Sequence, residues 1–239
     1  MRTAPAALMR PEAVLVYAAG FGTRMGALTA DRPKPLIEVA GRALIDHALA
    51  LVPPGMRVVV NTHYRAGQIA AHLAGRGLLL SHEPELLDTG GGLRAALPLL
   101  DADPVHTLNS DAVWTGPNPL TALADAWDAG RMDALLLVLP AARATGHAGP
   151  GDFAMAADGG LSRGPGIVPA VVHSGAQIIS PRLLAAVPDR VFSSNRLWDA
   201  AMARGRLFGV IHPGGWCDVG QPGSIPLAEA MLAEAGGNV

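Results

Sequence analysis

The sequence predicts an α/β fold: a mostly parallel, doubly wound, Rossmann-like sheet with helices on both faces, plus a smaller, irregular lobe that contains a hairpin. Three observations carry this. Through the first ~140 residues, short apolar runs alternate with amphipathic stretches, the pattern of strands each followed by a covering helix. The apolar residues are mainly Ala, Leu and Val, with 4% aromatics, which suits strands buried on both faces. From Gly146 to Gly166 the rhythm breaks, and Gly, Pro and Ser become dense.

Each element follows from its local pattern. Ala13–Ala18 is a compact apolar run that stops at Gly20, a buried first strand. Arg42–Val52 has helical spacing and ends at Pro53-Pro54-Gly55. Arg57–Asn61 is β-branched and strand-like, and Arg65–Leu73 is helical, closing at Gly75. Leu78–Ser81 is a third strand, after which a glycine run opens a helix through Leu100. Val105–Leu108 is a fourth strand ending at Asn109-Ser110-Asp111. Pro119–Ala129 reads as helix and Ala134–Leu139 as strand. Ala157-Asp158-Gly159-Gly160 marks a hairpin turn. Val171–Ile179 and Leu207–His212 are strands; Ser194–Ala203 and Ile225–Ala235 are helices.

Composition removes several function classes. The formal net charge is −2, and no run of Lys or Arg forms a footprint for nucleic acid. Cys217 is the one cysteine, so no intrachain disulfide forms and nothing points to an oxidising compartment. No window approaches the ~18 uninterrupted apolar residues of a membrane span, and Arg10, Pro11 and Glu12 interrupt any signal-like stretch. A cytoplasmic protein without a membrane or nucleic-acid partner is expected, as a monomer or small homo-oligomer.

In open α/β sheets, ligands bind beyond the C-terminal ends of strands. Gly20, the stretch Ser81–Gly92, Asp111 and Asp218 all fall at such predicted ends. After the first strand, residues 18–26 read Ala-Ala-Gly-Phe-Gly-Thr-Arg-Met-Gly, followed by Arg32-Pro33-Lys34-Pro35-Leu36. Glycines there let backbone N–H groups converge on an anion. Arg24 offers a planar fork for phosphate oxygens, and Lys34 is a point charge between two prolines that stiffen its backbone. Met25 stands where a dinucleotide fingerprint needs its third glycine, and no Gly-Lys-Ser/Thr follows as in a P-loop.

Taken whole, Ala18–Gly41 (AAGFGTRMGALTADRPKPLIEVAG) resembles the signature of sugar nucleotidyltransferases. The ten-position spacing from Arg24 to Lys34 is that of sugar-phosphate enzymes. The resemblance implies one nucleotidyltransferase domain over 1–239, without a C-terminal β-helix. Its nucleotide-binding core would span about 13–140, and its sugar-binding, closing part about 141–239. It implies that Ala18, Ala19, Gly20 and Gly22 hold the nucleotide, that Arg24 binds the β/γ-phosphates, and that Lys34 bridges the α-phosphate and the sugar phosphate.

Departure of pyrophosphate leaves dense negative charge, which a hard cation such as Mg²⁺ neutralises through oxygen ligands. Asp111, and Asp218 within Gly215-Trp216-Cys217-Asp218-Val219-Gly220, match the family's two metal-ligand motifs in order. Relatives show Gly-Asp where this chain has Ser110-Asp111. No residue looks like a covalent nucleophile. The phosphate oxygen of the sugar phosphate, already ionised, would attack the α-phosphorus directly. Arg24, Lys34 and Asp111 are therefore the catalytic candidates.

Asp88-Thr89-Gly90-Gly91-Gly92 is expected to approach the base or ribose through its backbone. Uracil needs an acceptor flanked by amides; guanine also needs acceptors, which Asp88 or Glu83 could give, so the chemistry leaves the base open. Asn61-Thr62-His63-Tyr64, Val113-Trp114-Thr115 and Gly151-Asp152-Phe153, with that glycine run, look like N-acetylmuramate-1-phosphate uridylyltransferases of bacterial cell-wall recycling. By that likeness UTP is the preferred NTP, and Lys34, Asn109, Asp152, Ser174 and Gly175 would meet the sugar 1-phosphate. Mannose-1-phosphate guanylyltransferase-like proteins share many of these motifs, and a regulatory protein that keeps the fold without turnover is the remaining alternative.

Overall fold

The structure, a computed structural model, describes residues 10–236. Seven strands build the central sheet: β1 (Ala13–Tyr17), β2 (Arg57–Thr62), β3 (Leu79–His82), β4 (Val105–Asn109), β5 (Ala134–Pro140), β6 (Val171–Ile179) and β7 (Leu207–Ile211). Their spatial order is β7-β5-β6-β4-β1-β2-β3. Only β6 runs antiparallel to its neighbours, β4 and β5; the other pairings are parallel. Strand order reverses between β1 and β4, and this leaves a crevice at their C-terminal ends.

Six α-helices accompany the sheet: α1 (Leu44–Leu49), α2 (Ala66–Leu73), α3 (Asp88–Leu100), α4 (Pro119–Ala126), α5 (Asn195–Met202) and α6 (Ser224–Gly236). The period-two alternation of each strand divides the core. Val14, Val16, Leu135 and Leu137 pack with Ile45, Ile69 and Leu120 of α1, α2 and α4. Ala13, Leu15, Leu136 and Val138 pack with Leu93 of α3 and Leu197 of α5 on the opposite face. Each fully buried leucine contributes roughly 1.5–3 kcal/mol relative to exposure, so helices are held on both faces by the same strands. A third cluster joins Met25, Ile37, Leu44, Cys217 and Val219 to Ala228 of α6.

One helix is shorter than its spacing predicts. Arg42–Ala43 pairs antiparallel with Glu38–Val39, so α1 begins only at Leu44. The tight turn puts Ala40 and Gly41 at φ 51° and 71°, which costs the chain a helical turn but aligns Pro33–Ile37 beside the sheet. The predicted hairpin is present, with Ala154–Met155 paired to Leu161–Ser162. Asn118 caps α4 by accepting from the amides of Leu120 and Thr121, with Pro119 at the first helical position.

His106 lies fully buried in β4, and both ring nitrogens lack a hydrogen-bond partner among the described residues. Burial pushes its pKa down from 6.5 to about 4. The unfolded chain therefore binds this proton first as pH falls. Stability from this group is complete above pH 6.5 and is lost as pH drops toward 4. Urea midpoints measured between those limits should fall with pH, and His106→Leu should flatten the decline; an unchanged slope in the variant would exclude His106 as its source.

Candidate functional site

A cleft of about 550 Å³ opens beyond the C-terminal ends of β1, β2 and β4, with Ala18–Gly20, Gly22–Arg24, Lys34, Asp88, Thr89 and Asn109–Asp111 among its lining residues. This is the crevice at the strand-order reversal. The expected signature loop forms its floor. Ala18 donates its amide to Asn61 Oδ1 at 2.7 Å, whereas the amides of Ala19, Gly20 and Gly22 find no protein acceptor among the described residues. These three are thus available to an anion, and Ala18 is not.

The two loop glycines serve different ends. A Cβ on Gly20 would meet nothing within 4 Å, so its face is open to the cleft. Gly22 has φ +66°, and a Cβ there would lie 2.7 Å from Lys34 Cβ. Its bare backbone is what lets the lysine stem cross the loop. Met25, in place of a third glycine, is 1% exposed and anchors the loop in the third cluster. From outside, Phe21 rests edge-on against His63, with ring centroids 5.3 Å apart. Tyr64 donates its hydroxyl to Thr29 O at 2.8 Å.

The charged side chains converge. Lys34 Nζ lies 2.8 Å from Asp111 Oδ2, with the lysine side chain 10% exposed. Asp218 reaches the same place through a short antiparallel pairing of Trp216–Asp218 with Ala112–Trp114, in register Asp218 to Ala112. The Val219 amide adds a 2.9 Å bond to Asp111 O. A Cβ on Gly220 would sit 2.8 Å from Asp218 Oδ2 and 3.1 Å from both terminal nitrogens of Arg24, so all three converge on one point. Burial, then the charge of Asp111, raises the Asp218 pKa above the ordinary carboxylate value, with Lys34 and Arg24 opposing the shift. Two carboxylates held against their own repulsion suit a hard divalent cation. Among the described residues no third His, Cys, Asp or Glu joins them, so any cation these two held would need further ligands from outside the protein.

Ser110 fits the turn after β4 without a positive φ. Its hydroxyl donates to Tyr17 O at 2.6 Å, stitching the ends of β1 and β4. Cys217 is buried and its thiol is pushed up to about 11 by burial and the neighbouring Asp218, consistent with a structural role.

The glycine run is arranged differently from the sequence expectation. Gly90, Gly91 and Gly92 are buried inside α3, and the amides of Gly90 and Gly91 both donate to Phe192 O, at 2.9 and 3.0 Å. A Cβ on Gly90 would strike the Phe192 ring, and one on Gly91 the Arg190 carbonyl. These two glycines thus admit the 190–192 segment, whose Val191 lines the cleft, and their amides are not free for a base. Asp88, at φ 60°, and Thr89 do line the cleft. On the other side, Asn109 lines it too, and Gly175 (φ +85°) makes room for the Asn109 side chain, within 2.9 Å of a would-be Cβ. Ser174, Gly175 and Asp152 are not among the lining residues of this cleft. The Ser174 hydroxyl donates to Leu137 O at 2.6 Å, and Asp152 Oδ2 accepts from the His173 amide at 2.8 Å.

The model of the MobA-like NTP transferase domain matches residues 14–212, from β1 to just past β7. The chain belongs to this family. Among relatives of this NTP transferase, N-acetylmuramate alpha-1-phosphate uridylyltransferase of Caulobacter vibrioides is 41% identical over 94% of this chain and 98% of its own length. The enzyme of the same name from Neisseria meningitidis is 29% identical, covering 91% and 96%. The crystal structure of HddC from Yersinia pseudotuberculosis complexed with GMP-PN superposes with a TM-score of 0.73 at 18% identity, over 92% of this chain and 99% of that one. At that identity the likeness concerns the fold.

Sequence reasoning missed several cleft residues of the NTP transferase: Tyr17, Val191 and Gly220. Gly220 follows a proposed metal ligand by two positions, a signal that was legible; Val191 arrives from a loop whose packing only the fold reveals. The two loop glycines yield a test. Gly20→Ala should keep the thermal midpoint and weaken NTP binding, because its Cβ would occupy ligand space. Gly22→Ala should lower the midpoint as well. Calorimetric titration with UTP and a melting curve for each variant would separate the cases, and normal UTP affinity in Gly20→Ala would refute this use of the loop.

Proposed function

We propose that this protein transfers a nucleoside monophosphate from an NTP to a sugar 1-phosphate, with release of pyrophosphate. UTP is the preferred donor and N-acetylmuramate 1-phosphate the acceptor. The observation that carries the reading is the meeting of Arg24, Lys34 and Asp111 in one cleft beside loop amides without a protein acceptor, with Asp218 at its edge close enough to feel all three charges. Identity of 41% over nearly the whole length of a uridylyltransferase supports the choice of base and sugar. Guanylyl transfer is the second reading, since a mannose-1-phosphate guanylyltransferase catalytic subunit of Xenopus tropicalis is 28% identical over 92% of this chain.

In this reading the amides of Ala19, Gly20 and Gly22 and the Arg24 fork hold the triphosphate. Lys34 Nζ is placed to bridge the α-phosphate and the incoming sugar phosphate. An ionised oxygen of that phosphate attacks the α-phosphorus as the bond to the β-phosphate oxygen breaks, so no general base is needed. Asp111 and Asp218 would hold Mg²⁺, which when bound neutralises charge on the phosphates. The residues contribute alignment of two polyanions and fixed charge. A reaction that draws on NTP suits the cytoplasm, and no described helix is long and apolar enough to cross a membrane.

A panel of NTPs and sugar 1-phosphates, read by pyrophosphate release, tests the reading. UTP with N-acetylmuramate 1-phosphate should give the highest kcat/KM; a higher value for GTP with mannose 1-phosphate would favour the second reading. Asp111→Asn preserves an acceptor for Lys34 yet should lower kcat about 100-fold or more. Lys34→Ala should raise KM for the sugar phosphate about tenfold or more. Parent-like kinetics in either variant would remove that residue from the mechanism.

A further inference from the structure

Asn61, next to last in β2, is 3% exposed, and Glu83, just beyond β3, is 1% exposed; both line the cleft. Asn61 Oδ1 accepts from the Ala18 amide at 2.7 Å, and its Nδ2 donates to Glu83 Oε1 at 2.7 Å. Glu83 Oε2 in turn accepts from the Leu87 amide at 3.0 Å. The third glycine of the run clears space for this pair, since a Cβ on Gly92 would lie 2.7 Å from Glu83 Oε1 and 3.0 Å from Asn61 Nδ2. Leu87 immediately precedes Asp88 and Thr89, so the chain of bonds links the start of the signature loop to the facing turn.

The polarity of this chain is forced. A carboxylate offers only acceptors, so the Asn61 amide must turn its NH₂ toward Glu83 and its carbonyl toward Ala18. Asn61 cannot flip without setting two acceptors face to face at Glu83 and two donors at Ala18 in a buried place, whereas the two Glu83 oxygens are equivalent. The Ala18 amide is thereby fixed at the last point before the loop whose amides remain free.

We propose that Asn61 and Glu83 act as one positioning unit for the nucleotide, holding the Ala19–Gly22 amides in register with the Leu87–Thr89 turn across the cleft. The inference rests on the reading of this cleft as the NTP site. The unit touches the nucleotide through the loop it orients, so its effect falls on NTP affinity rather than on use of the sugar phosphate.

The polarity argument supplies its own test. Glu83→Gln leaves a donor opposing a donor, at Leu87 or at Ala18, whichever way the amides turn. Asn61→Asp sets two carboxylates against each other. The double variant Asn61→Asp/Glu83→Gln reverses the middle bond and satisfies every partner again. UTP affinity by calorimetric titration with Mg²⁺, melting curves, and KM for both substrates would be measured for the parent and all three. Each single variant should bind UTP about tenfold more weakly, and the double should return to within about twofold of the parent. KM for the sugar phosphate should stay constant throughout. Singles that melt earlier yet bind UTP like the parent would reduce the pair to a core contact. A folded double variant that binds no better than the weaker single would also overturn the proposal. Should a single variant fail to fold, the double decides alone by the same affinity criterion. Absence of UTP and GTP binding by the parent would instead remove the functional reading itself, and the inference with it.

Discussion

The site depends on a short antiparallel pairing that lies outside the main sheet. Ala112–Trp114 and Trp216–Asp218 meet in register, and their pairing holds Asp111 and Asp218 side by side although like charge drives them apart. The raised pKa of Asp218 records that opposition. Lys34 and Arg24 relieve it from the other side of the cleft, each delivered by the signature loop. Without the pairing, neither carboxylate would have reason to be near the other, and Lys34 would lose the partner that makes its burial tolerable. The apolar cluster around Met25, Cys217, Val219 and Ala228 makes this arrangement rigid, because it packs the loop, the pairing and α6 into one unit.

Glycines in this chain divide by what stands in front of them. Gly20 faces open space and keeps a surface bare for a ligand. Gly22, Gly175 and Gly220 face side chains of the site and let Lys34, Asn109, Asp218 and Arg24 come close. Gly90 and Gly91 face a loop of the protein itself. A Gly-rich stretch is equally compatible with all three uses, which is why residues 90–92 read as a ligand loop in sequence and are the buried first turn of α3 in the structure.

Much of the fold was legible because it rests on periodicity. Leu135, Leu137 and Leu139 face one helical layer while Ala134, Leu136 and Val138 face the other, and such runs leave little choice but a buried strand. The cations and carboxylates were legible because their residue types are expensive to place in a crevice without a ligand. Local turns were harder: Arg42–Ala43 has helical spacing, yet pairing with Glu38–Val39 across the left-handed Ala40-Gly41 turn overrides it. Ser174 and Asp152 show the same limit at the site. Their sequence context suits a sugar pocket, whereas in the structure the Ser174 hydroxyl is bonded to Leu137 O and one Asp152 oxygen to the His173 amide.

The tie between Phe192 and α3 has a broader bearing. One carbonyl accepts from two successive helix amides, while Arg94 donates to the carbonyls of Leu184, Val187 and Asp189 nearby. The wall that carries Val191 is thereby moored by main chain on both sides, and Val191 itself, 51% exposed, takes no part in the mooring. Its side chain is cladding on a fixed frame, so a change of residue there would reshape the rim of the cleft without disturbing the scaffold beneath it.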